Sequence, residues 1–183
     1  MNEIELIRTQ LSVERQHATA VARTCATTLA SASMASIEPF RATGIEYLAW
    51  ILARFEEREQ VFHDLIRKRF GPTDPHRQAV DAALAATGSN REALTKLETA
   101  LGASPDANTT TLRWSEFLHF FIGPWSARRD EFDRLLQQHP KVTDWRTVSA
   151  IDADSIVDER TRWARVEATM PTDTGSSSNT LRV

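Results

Sequence analysis

One cysteine, one tyrosine and six glycines in 183 residues rule out several kinds of protein before any pattern is read. A lone Cys25 excludes an internal disulfide and any multi-cysteine metal site. It falls on an apolar helical stripe, the setting of a buried, inert thiol. No glycine-rich phosphate loop is present, since "FGPTDP" has neither the Walker spacing nor its lysine. No stretch approaches the roughly 18 apolar residues of a membrane span. The opening "MNEIELIRTQ" lacks the apolar run of a signal peptide, so a cytoplasmic protein without a membrane partner is the expectation. An excess of one charge is missing too. With 22 basic and 25 acidic residues the net charge is -3, which gives no basic field for nucleic acid. The run "RKRF" at 67–70 ends a helix, where cations complement the helix dipole.

What the chain does have is helical periodicity. Ile4, Ile7, Leu11, Val21, Cys25 and Leu29 recur at three- and four-residue steps, predicting a helix over about 3–33. A second helix is expected from Ser36 as N-cap, with Pro39 in its first turn, to the stop at Gly71-Pro72. Asp74 and Pro75 open a third helical region. "ATGSNRE" interrupts it, and Ser89 with Glu92 forms a capping box that restarts a helix through Leu94, Leu97 and Leu101. "GASPDANTTT" reads as a loop. A fourth helix is expected from about Leu112 to Gln138, kinked at Gly123-Pro124. A shorter one follows near 153–168, and the tail 169–183 has nothing to bury and is expected to be disordered. No alternation is long enough for a sheet. The prediction is an all-α protein with one domain over 1–168: an antiparallel up-down four-helix bundle within 3–138 and an appended C-terminal helix.

Three of these helices direct charge toward the core. Glu14 interrupts the stripe Leu11, Ala18, Val21, Cys25, with His17 at its border. Glu59 interrupts Leu48, Leu52, Phe55, Phe62, Ile66, and His63 lies one turn on. Arg128 sits among Trp125, Phe132 and Leu135. An isolated inward charge costs several kcal/mol unless it is paired or coordinated. Either carboxylates and imidazoles hold a metal, or Glu14 and Glu59 are neutralised by Arg128 in a structural ion-pair network, or a modest helix rotation brings these groups to solvent. Two Glu-x-x-His pairs, Glu14/His17 and Glu116/His119, have the spacing used in di-metal carboxylate bundles. The second pair lies opposite the Trp114–Trp125 stripe and is expected to face solvent or another subunit.

On these residues the chain resembles the hemerythrin-like (HHE cation-binding) and ferritin-like bundle proteins over about 3–138. His17 stands for the first-helix His of that pattern. Glu59 falls at the second-helix Glu, followed by "EQVFHDLI". His76 begins the third helical region, and Asp130 follows Trp125 at the His-to-Asp spacing of the fourth helix. Phe55, Val80 and Trp125 occupy positions where the family has His, so a full diiron centre of that type cannot form. The resemblance implies at most a mononuclear or rebuilt site using Glu14, His17, Glu59, His63, His76 and Asp130, with iron or manganese, and zinc also fitting such donors. A bundle that has lost its metal and filled the space with Phe55, Trp125 and Arg128 is the alternative, a metal-free interaction or regulatory protein.

A hydrolase reading fares worse, because Ser126 and His119 lack a nucleophile turn and an orienting acid, and whether the chain is an enzyme stays open. Trp125 beside Arg128 and Arg129 could line a pocket for an anionic or aromatic small molecule. Trp145 and Trp163 bracket a helix rich in both charge signs, either a fifth helix closing the bundle or a docking element, and a homodimer is the expected assembly.

Overall fold

The computed structural model describes residues 3–28, 34–78, 81, 89–103, 106–123, 134, 146–147 and 149–171, most of them helical and none in a strand. Helix α1 spans Glu3–Thr28, α2 Met34–Arg69, α3 Ser89–Gly102, α4 Ala107–Ile122 and α5 Ala153–Thr169.

Local chemistry sets the ends. α2 begins at Met34, so Ser36 lies inside its first turn rather than capping it, and Pro39 is within the helix. Its last turn carries Arg67, Lys68 and Arg69. Beyond that end Arg77 reaches back to donate to the Phe70 carbonyl at 3.3 Å. Asp74 accepts the His76 amide at 2.8 Å, starting a further helical turn. α4 begins five residues before the expected Leu112. Asp106 is its N-cap, its carboxylate accepting from the Thr109 amide at 2.8 Å, and this cap carries three consecutive threonines of low helix propensity into the first turn. α5 is fixed by a reciprocal capping box: Asp152 accepts from the Ser155 amide at 2.7 Å, and Ser155 Oγ accepts from the Asp152 amide at 2.9 Å. It runs on to Thr169, and Met170 packs against the core, so the ordered chain extends past the expected start of the tail. The expected kink at Pro124 and the remaining tail, 172–183, lie outside the described residues.

α1 and α2 are antiparallel, since Glu14 meets Arg58 while Val21 meets Gly44. Gly44 sets their spacing, because a Cβ there would stand 2.8 Å from Val21 Cγ1. α4 packs on α1 and α3, α3 on α2, and α5 lies across α2 and α1. The main core joins Val21 and Cys25 with Phe40, Leu48, Ile51, Leu97, Trp114 and Phe121. A smaller cluster holds Ile7, Leu11 and Phe62, with Phe70 and Ile151 against it. Between the two clusters, at residues 14 on α1 and 58 on α2, the interior is charged.

Candidate functional site

Glu14 is fully buried, and both carboxylate oxygens accept from the Arg58 guanidinium, Oε1 from Nη2 at 3.2 Å and Oε2 from Nη1. Arg58 is itself buried. Its Nε donates to the Ser149 carbonyl at 2.5 Å, so the guanidinium is held from two sides. A bidentate Arg–carboxylate pair compensates two desolvated charges better than a lysine could. Next to Arg58 on the same helix, Arg54 donates to the Ala150 carbonyl at 3.2 Å. Two arginines of α2 thus grip the backbone just before α5.

One turn along α1 from Glu14 lies a second acid site. Glu159 of α5 is 1 % exposed, and its Oε1 accepts from Tyr47 Oη at 2.9 Å and pairs with His17 Nδ1 at 2.7 Å. Burial works against its charge. The bonds from His17 and Tyr47 outweigh that, and hold the carboxyl below its ordinary value. An ionised carboxylate only accepts, so Nδ1 of His17 carries the proton. Burial and the Glu159 charge push the Tyr47 phenol far up, which keeps it a donor. The His17 ring lies flat on Trp163, centroids 3.8 Å apart and planes 2° from parallel, while Tyr47 meets the same indole edge-on. Trp50 is flanked by Arg54 at 5.2 Å and Arg162 at 4.8 Å.

The structure therefore brings Glu14 and His17 into one polar layer but gives them different partners. His63 is buried as expected, yet beside Phe62 of the smaller apolar cluster, with no partner for its Nδ1. Burial first, and then the Arg67 charge, push it down to about 4, so it is neutral near pH 7. Glu59 is only half-buried, and Arg58 takes the interior position beside it. His76 is half-buried against Phe70, ring centroids 5.4 Å apart. Glu116 and His119 are exposed, and Glu116 pairs with Arg113 at 2.8 Å. Trp125, Arg128 and Asp130 lie outside the described residues. Among the described residues no three His, Cys, Asp or Glu side chains gather so as to hold a metal ion. Glu14 is already bound on both oxygens by a guanidinium, a fixed cation that repels another, and His17 has its Nδ1 committed to Glu159.

Arg58, Tyr47, Glu159 and the Ser149 carbonyl are the members that sequence reasoning missed. For Glu159 a signal existed: Ile156, Glu159, Trp163, Val166 and Met170 follow helical three- and four-residue steps. For the Ser149 carbonyl there was none, because a backbone acceptor leaves no mark in residue type.

A separate open groove of about 730 Å³ runs between α3 and α4, with Phe117 and Phe120 facing Ala93 and Ala100, and Lys96, Arg113, Glu92 and Glu116 along it. No helix among the described residues is long and apolar enough to cross a membrane. Comparison with known protein families, with curated proteins and with solved structures finds no significant match to this chain.

Proposed function

We propose that this chain is a metal-free helical interaction or regulatory protein whose inward charges form a structural network centred on Arg58. The observation that carries this reading is the saturation of Glu14 by Arg58 on both oxygens, which gives the buried carboxylate its compensating charge without a metal. The α3–α4 groove, apolar along its base and of mixed charge at its rim, offers a surface of the kind peptides occupy. The contacts α1–α2, α2–α3, α3–α4 and α4–α1 close a ring, and this supports an antiparallel up-down bundle with α5 outside it.

Glu14→Ala tests the reading, because it removes one partner and strands a buried guanidinium. The expected loss is about 3–5 kcal/mol, most of it recovered in the double variant Glu14→Leu/Arg58→Met, which removes both charges. Elemental mass spectrometry on protein purified without tag or chelator is expected to find no stoichiometric metal in either wild type or variant. Near-stoichiometric iron, manganese or zinc, released by Glu14→Ala, would overturn the proposal and restore the ligand reading.

A further inference from the structure

α5 is held to the molecule by a buried charge set in a short apolar stripe. Its central inward residue is Glu159, a charge, and the groups bonded to that charge come from two helices on which α5 packs: Tyr47 from α2 and His17 from α1. One turn later Trp163 lies against both His17 and Tyr47, and Val166 completes the stripe. At the far end Thr43 and Thr169 share a hydroxyl contact of 2.7 Å. The backbone leading into α5 is strained. Ala150 has φ 45°, a left-handed conformation that disfavours a side-chain-bearing residue, and it is kept there beside carbonyls bound by Arg54 and Arg58.

Polar anchors make an interface specific but easily reversed. Once separated, water satisfies both halves, whereas a purely apolar contact leaves surface exposed. Here the half left behind would be a phenol and an imidazole turned toward one point, a pair of donors that reads a carboxylate. Beside it is an aromatic slot vacated by Trp163.

We infer that α5 is a displaceable intramolecular ligand, and that the surface beneath it is a binding site for a helix presenting a glutamate one turn before a tryptophan. The occupant in trans is α5 of a second copy, which carries that pattern in Glu159 and Trp163 and would link two chains by exchange of this helix. This deepens the interaction reading and rests on it. Its failure is separable, because the Glu14–Arg58 pair lies between α1 and α2 and does not require α5 to move.

The wild-type protein alone decides the first half. Amide hydrogen exchange followed by mass spectrometry is expected to show α5 exchanging by local opening, at least about tenfold faster than the buried amides of α1 and α2. Exchange of α5 only together with α1 and α2, by global unfolding, would overturn the inference. The second half uses a labelled peptide of residues 152–171. Glu159→Gln weakens the anchor and leaves Tyr47 and His17 in place, so α5 amides should exchange faster while those of α2 do not. The wild-type-sequence peptide should then bind this variant about tenfold more tightly than it binds the wild type, whose pocket is filled in cis. A peptide carrying the same Gln should bind more weakly than the wild-type peptide. Equal binding of the wild-type-sequence peptide to both proteins, or of both peptides to the variant, would sink the recognition of a carboxylate. Glu159→Gln protein that loses protection throughout α1 and α2 as well would show the residue to be part of the global core, which also overturns the proposal.

Discussion

His63 carries a cost that depends on pH. In the unfolded chain it titrates near 6.5; in the fold, burial holds it down to about 4. Between those values the unfolded state takes up a proton that the native state refuses. Stability is therefore full above about pH 6.5 and declines as pH falls toward 4, by up to about 3 kcal/mol. Carboxylates held below their ordinary values, Glu159 among them, add their losses only under about pH 4.5. Urea unfolding at a series of pH values should show this slope in the wild type and a much flatter one in His63→Leu. An unchanged slope in the variant would assign the acid loss elsewhere. The same scale shows how far the site could be read from residue types. Glu14 and His63 were legible as inward groups because their stripes are long and regular. Arg58 was not, because from Phe55 steps of three and of four both stay on one helix face, and the step of four leads to Glu59. Neighbouring residues differ by about 100° around a helix, so the choice between them was made by packing against Glu14 and Ser149, which periodicity does not record.

Among the elements, the α1–α2 pair depends on a missing side chain. Gly44→Ala should gain up to about 1 kcal/mol in helix propensity, but its Cβ meets Val21 Cγ1 at 2.8 Å inside a closed interface. Overpacking there costs about 1–3 kcal/mol, so a net loss of about 1 kcal/mol is expected on thermal or urea unfolding. Val21→Ala in the same chain should recover part of it, whereas alone it should destabilise. Helix existence was legible for all five elements, since each has an apolar repeat at helical period. Their ends were less so. α4 begins at Ala107 because the Asp106 cap outweighs the poor propensity of Thr109, Thr110 and Thr111, two opposing signals whose balance cannot be ranked by inspection. The α5 boundary was predicted well because Asp152 caps an otherwise uninterrupted run.

At the scale of the whole molecule, the buried thiol reports on the entire core. Cys25 is 2 % exposed, and burial pushes its thiol up to about 12, so neither access nor ionisation favours reaction near neutral pH. Labelling by a disulfide reagent should therefore track global unfolding of α1 and α2, and should remain slow when α5 alone is released, because Cys25 faces Gly44 and the main core. Rapid labelling under native conditions would show that the α1–α2 interface opens as easily as α5. The parallel rings of His17 and Trp163 give the departure of α5 a signal of its own. Trp163 is sheltered between the His17 ring and Tyr47 while the helix is in place and meets water when it leaves, so its emission should move to longer wavelength on release. In that one contact the protein carries a built-in dye, whose colour would report an open latch.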